Sequence, residues 1–131
     1  ESRHYSCVII NVPASDVYEF VATPGHLLQW AAGLALSQVE IDGADLLVMY
    51  PMGNVRVVLC HGIFFLLQIT RHAPTGITVT NPLRVMHHPH GCGVIFTVRQ
   101  LRFGDQEFAR DCEMVAGGSA ALKDIREKKA D

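Results

Sequence analysis

Three imidazoles fall within four residues, at His87, His88 and His90. Imidazole is a common ligand for zinc, copper and nickel, so the cluster raises a metal reading first. The spacing argues against it. Residues 87 and 88 of an extended segment point to opposite faces, and only Cys92 stands nearby as another ligand, so a closed tetrahedral site would need remote partners. Pro89 and Gly91 mark a turn, and the histidines are expected to be its solvated corners. No metal and no cofactor are expected. His26, His61 and His72 lie at the ends of expected elements, where each could serve as an acid or base, or as a cap. No nucleophile elbow, phosphate-cradling loop or dinucleotide fingerprint occurs. No catalytic residue is assigned.

The better candidates are large and adaptable. Trp30, Tyr50, Met52, Met86, Phe96 and Met114 are side chains that make pocket walls, and small-molecule pockets are mostly apolar with a few polar groups. Two polar residues could read a ligand inside such walls. Gln68 lies in a very apolar strand and must find a hydrogen bond if it points inward. Arg84, like Arg56 and Arg99, lies within a strand and could anchor a carboxylate or phosphate. The expected cavity lining is therefore Trp30, Tyr50, Met52, Gln68, Arg84, Met86, Phe96 and Met114; the same large apolar residues would serve equally as plain core.

These residues need a scaffold. His4 to Val12 is β-branched and apolar and reads as a strand. Pro13 breaks it, and Val17, Phe20 and Val21 then repeat at helical spacing. Thr23-Pro24-Gly25 ends that helix, and His26 to Ala31 restarts as a second short one. Six strand-like runs follow: Leu34 to Ile41, Asp45 to Met52, Val55 to His61, Ile63 to His72, Ile77 to His87 (bent at Pro82) and Cys92 to Phe103. Asp42-Gly43 between the first two is a strong hairpin signal. From Gly104 to Asp131 the period changes. Phe108, Cys112, Val115, Ser119, Leu122 and Ile125 recur every three or four residues, the face of one long helix. Gly117-Gly118 interrupts it, predicting a bend or a thinned inner face.

Successive hairpins imply an antiparallel sheet. Its strands are apolar on both faces in places, as at Leu46–Met49 and Phe64–Leu67, so a curved sheet gripping the last helix is expected. Its concave face would carry more apolar residues than one helix covers, leaving a cavity.

The chain has 131 residues, 49% of them hydrophobic, and a formal net charge of -2 from 11 basic and 13 acidic residues. It is expected to form a single domain, 1–131. The balance of charge gives no footprint for nucleic acid, and no apolar run approaches a membrane span. Four cysteines without paired spacing, and no recognisable leader, predict free thiols and a cytoplasmic location. An exposed Phe64–Leu67 strand would be a pairing edge and would give a homodimer.

The element order β-α-α-β6-α resembles the helix-grip topology of the START/polyketide-cyclase-like (SRPBCC) superfamily. Val12-Pro13-Ala14-Ser15-Asp16-Val17-Tyr18-Glu19-Phe20-Val21, then Pro24 and Trp30, is similar to that family's opening. Thr80-Asn81-Pro82-Leu83-Arg84-Val85, Gly91-Cys92-Gly93-Val94-Ile95-Phe96-Thr97-Val98 and Glu107-Phe108-Ala109-Arg110-Asp111 resemble segments of an uncharacterised bacterial subgroup. Gln68-Ile69 stands where that subgroup carries Asp-His. The resemblance implies an α+β helix-grip fold of about seven strands with an internal pocket. It also implies binding of a small hydrophobic ligand such as a lipid, polyketide or aromatic metabolite. The alternatives are an enzyme of the polyketide cyclase/dehydratase kind, with a histidine or Tyr50 as acid or base, and a dimeric partner-binding or stress-regulatory module.

Overall fold

A computed structural model describes residues 3–31, 38–50, 53–100 and 104–130. The protein is α+β, with a curved, unclosed antiparallel sheet packed on a long C-terminal helix. In chain order the elements are β1 (Arg3–Ile10), α1 (Ala14–Val21), a 3-10 turn (Pro24–His26), α2 (Leu27–Trp30), β2 (Gln38–Asp42), β3 (Asp45–Tyr50), β4 (Gly53–His61), β5 (Leu66–His72), β6 (Thr78–His88), β7 (Gly91–Arg99) and α3 (Asp105–Ala130). The sheet order is β1-β7-β6-β5-β4-β3-β2. The chain therefore leaves one edge after β1, crosses to the other through α1 and α2, and returns by hairpins until β7 closes on β1.

Local chemistry accounts for the elements. Ala14, Val17, Phe20 and Val21 are the buried face of α1, at helical spacing. Pro13 supplies the carbonyl that accepts from Asp16 and Val17 N–H, a place where its own missing N–H costs nothing. Asp105 and Glu107 lie in the first turn of α3, at the positive end of its dipole. The expected inner row of that helix is buried or half-buried from Phe108 through Ser119 and Leu122 to Ile125. Gly91, at φ +133, cannot be replaced by a residue with a side chain: a Cβ there would lie 2.2 Å from the Ile10 carbonyl oxygen.

A salt-linked clamp ties α3 to the end of β1. Lys123 Nζ donates to the Ile9 carbonyl at 2.6 Å and to Glu127 Oε2 at 2.7 Å, and the same carboxylate accepts from Asn11 N–H at 2.8 Å. At the far edge Arg56 bridges Asp42 and Asp45, both at 2.9 Å, across the β2–β3 turn.

Two expectations need correction. Ile63 to Phe65 is not strand; β5 begins at Leu66. Ile63-Phe64-Phe65-Leu66 is a tight turn closed by Leu66 N–H to the Ile63 carbonyl, with Phe64 and Phe65 at φ 56 and 57. Left-handed backbone costs a residue with a side chain about 1–2 kcal/mol. What holds it is α1: Tyr18 stacks on Phe65 at 5.1 Å and its hydroxyl donates to the Leu66 carbonyl at 3.1 Å. The short β4–β5 connection thus overrides the apolar β-former run. Second, Gly117-Gly118 does not break α3, which runs unbroken through both. β6 pairs with β5 along Thr78–Arg84, and its described pairs with β7 run from Leu83 to His88. The Leu34–Ser37 part of the expected second strand, Met52 and the end of the expected last strand lie outside the described residues. No helix among the described residues is long and apolar enough to cross a membrane.

Candidate functional site

The alternation of side chains along each strand decides what faces α3. On β6, Val79, Asn81, Leu83 and Val85 are buried while Arg84 and Met86, in the alternate row, are exposed. On β5, Leu67 and Ile69 are buried and Gln68 is exposed. The concave floor under α3 is unusually rich in valine. Short β-branched side chains in a bowl leave space that leucine or phenylalanine would fill.

That space is a cavity of about 150 Å³. Val48, Val57, Ile69 and Phe96 form its floor. Trp30 from α2 and Met114, Val115 and Gly118 from α3 close over it. Arg71 and Asp111 also line it; Arg71 and Met114 are exposed and Asp111 half-buried, which marks the mouth. Gly118 lets α2 and α3 meet: a Cβ there would sit 2.9 Å from the Trp30 carbonyl oxygen, whereas one on Gly117 would touch nothing within 4 Å. The thinned inner face expected of the glycine pair belongs to Gly118.

Two polar atoms are buried among these apolar walls. Asn81 is 8% exposed and Trp30 4%, and among the described residues neither Asn81 Oδ1 nor Trp30 Nε1 has a hydrogen-bond partner. Buried polar groups are normally paired, because an unmet one costs on the order of 1–3 kcal/mol. Both atoms are fully buried, so neither is exposed to the cavity that its residue lines.

Of the residues expected to line a pocket, Trp30, Phe96 and Met114 come together here. Gln68, Arg84 and Met86 do not; they stand on the convex face because the buried row of each strand has the opposite parity. The Tyr50 side chain and Met52 lie outside the described residues. Sequence reasoning missed Asn81, Arg71 and Asp111. The signal for Asn81 was present as one polar residue in the row Val79-Asn81-Leu83-Val85.

None of the candidate acid–base histidines lines the cavity. His26 stacks on Phe20 at 4.2 Å, with Nδ1 3.1 Å from the Phe20 carbonyl oxygen. His61 Nδ1 is 3.0 Å from the Tyr18 hydroxyl, whose pKa is raised by desolvation. His72 Nδ1 lies 3.1 Å from Thr78 Oγ1 on the exposed hairpin. At the β6–β7 turn, His90 N–H donates to His88 Nδ1 at 3.1 Å, and among the described residues no three His, Cys, Asp or Glu side chains converge as a metal site. A second recess of about 200 Å³ lies beside Asp16, Glu19, His26 and Arg126. Its acidic and basic groups offset one another, and Arg126 is committed to the Phe20 ring at 4.8 Å.

A curved antiparallel sheet gripping a terminal helix, with a cavity between them, is a helix-grip fold. Solved structures of that architecture superpose closely. The solution structure of the Aha1 dimer from Colwellia psychrerythraea matches with a TM-score of 0.75 at 13% identity, over 97% of both chains. A crystal structure of a Mesorhizobium loti protein matches with a TM-score of 0.72 at 10% identity, over 97% of this chain and 98% of its own. DynU16, from the dynemicin biosynthetic locus, matches with a TM-score of 0.69 at 14% identity; 97% of this chain covers 48% of that one. At these identities the likeness is one of fold. No family model matches the chain, and no curated protein does.

Proposed function

We propose that the chain is a single ligand-binding domain that holds a small hydrophobic molecule between the concave sheet and α3. The observation that carries this is the cavity of about 150 Å³ walled mainly by valine, isoleucine and aromatic side chains. Apolar walls that face an open recess lack the contacts a ligand would make, and a bound apolar molecule removes that surface from water. Cavities of this size admit about one benzene ring, so an aromatic metabolite fits within it, while a lipid or polyketide would extend through the mouth.

A thermal-shift screen with aromatic compounds and fatty acids tests this. A ligand at 100 times its Kd adds about 2.7 kcal/mol, which raises Tm by roughly 10 °C in a domain of this size. Val57→Phe, which fills the floor, should abolish the shift. No stabilisation across the library would overturn the reading.

Binding is favoured over a cyclase or dehydratase reaction by the predominantly apolar lining. A homodimer is a second reading, favoured by the exposed tip at Ile63 and Phe64, 76% and 85% accessible. Light scattering of the protein and of Phe64→Ser would show it as a change of mass. Free thiols at the exposed Cys7 and Cys60 suit a reducing, cytoplasmic setting.

A further inference from the structure

We propose that the ligand is an apolar acid, a molecule with a hydrocarbon body and a single carboxylate that Arg71 holds at the cavity mouth; this rests on the ligand-binding reading above. The parity of β5 puts Arg71 in the inward row Leu67-Ile69-Arg71, opposite Val57 of β4 on one side and Val79 of β6 on the other. Val57 and Ile69 belong to the cavity floor, and Arg71 lines the same space while remaining exposed. A guanidinium thus stands where an apolar floor meets water. Its charge is unmatched. Arg56, one strand away, is committed to Asp42 and Asp45, whereas Arg71 has no ion pair or hydrogen bond among the described residues.

An apolar cavity with a cation at its rim matches an amphipathic anion end for end. The hydrocarbon leaves water, while the carboxylate stays at the wet mouth and avoids the desolvation that burying a charge would cost. The guanidinium offers parallel N–H donors to both carboxylate oxygens. Asp111, which lines the cavity from α3, limits the charge of that head group. It repels any anion at the mouth, and a phosphate monoester meets roughly twice the repulsion of a carboxylate.

The experiment is a calorimetric titration of the protein with matched probes: octanoate, 1-octanol and octyl phosphate, and 3-phenylpropionate with 3-phenyl-1-propanol. At about pH 7 and low salt each carboxylate should bind about fivefold more tightly than its alcohol, the upper end for an exposed, forked pair. Octyl phosphate should bind no more tightly than octanoate. The preference for carboxylate should shrink as added salt screens the mouth, a reading that needs no variant. Arg71→Gln should remove the preference and Asp111→Asn should enlarge it. Arg84→Gln, which changes an exposed arginine on the convex face, should leave it as it is. Carboxylate and alcohol binding equally, a preference that survives Arg71→Gln, or octyl phosphate binding best overturns the acid assignment and leaves ligand binding standing. Failure of every probe to bind overturns the assignment, and a thermal-shift screen that is also silent overturns the broader reading with it.

Discussion

Two adjacent glycines have opposite roles in α3. Gly117 is exposed and a methyl there meets nothing, while a methyl on Gly118 would press on the Trp30 carbonyl oxygen at 2.9 Å. Gly117→Ala should therefore stabilise the protein by about 1 kcal/mol in urea denaturation, the helix propensity difference alone. Gly118→Ala should destabilise by roughly 1–3 kcal/mol because backbone must move, and it should weaken aromatic binding as α2 is pushed from the cavity. Equal effects of the two substitutions would refute the contact. The same scale shows where sequence reading stops. Trp30, Phe96 and Met114, large side chains that suit a wall, do border the cavity. Gln68, Arg84 and Met86 have equally suitable types, but the parity of each strand leaves them exposed. In β5 the row Leu67-Ile69 is apolar where Leu66-Gln68-Thr70 turns polar, so the inward row is readable there. In β6 the choice was readable, since Val79, Leu83 and Val85 share one row with Asn81.

Among the elements, the period of α3, the helix α1 after Pro13 and the hairpin at Asp42-Gly43 were all legible because each rests on local chemistry. The β4–β5 turn was not. Ile63-Phe64-Phe65 has strand composition, and only the Tyr18 stack and the hairpin closure make it turn. Phe64 is 85% exposed at φ 56, so Phe64→Asn, which tolerates left-handed backbone, should stabilise by about 1 kcal/mol. Phe65→Gly relieves the same strain but loses the Tyr18 stack and should gain nothing; equilibrium unfolding of both variants checks the contrast. The clamp on α3 gives a pH signature. Lys123 first, then the Asn11 amide, hold the Glu127 carboxyl below its ordinary 4.5. A carboxyl lowered by folding contributes stability that is full above the unfolded pKa and is lost as pH falls through the folded one. Tm should therefore decline as pH falls through and below that ordinary value more steeply in the wild type than in Glu127→Gln. Parallel curves would remove the clamp from the account.

For the molecule as a whole, the cavity joins elements far apart in sequence: α2, the middle of α3, and the first half of β6. A bound aromatic should slow amide exchange at Trp30–Ala31, at Met114–Gly118 and along Thr78–Asn81, and leave the β6–β7 turn unchanged. Protection confined to the convex face would place the ligand elsewhere. The closure of β7 on β1 has a further consequence, for the order in which the chain is made. β1 leaves the ribosome before every other strand, yet its partner is the last to be synthesised, with Arg3 opposite Arg99 and Ile10 opposite Cys92. Val8, Ile9 and Ile10 must wait unpaired while β2 to β6 assemble. α3, which clamps β1 in place through Lys123, arrives later still. Such long-range closure is slow and leaves apolar strand open to aggregation. A nascent chain stalled before residue 91 is therefore one that needs a chaperone, and the first strand is where it would be held.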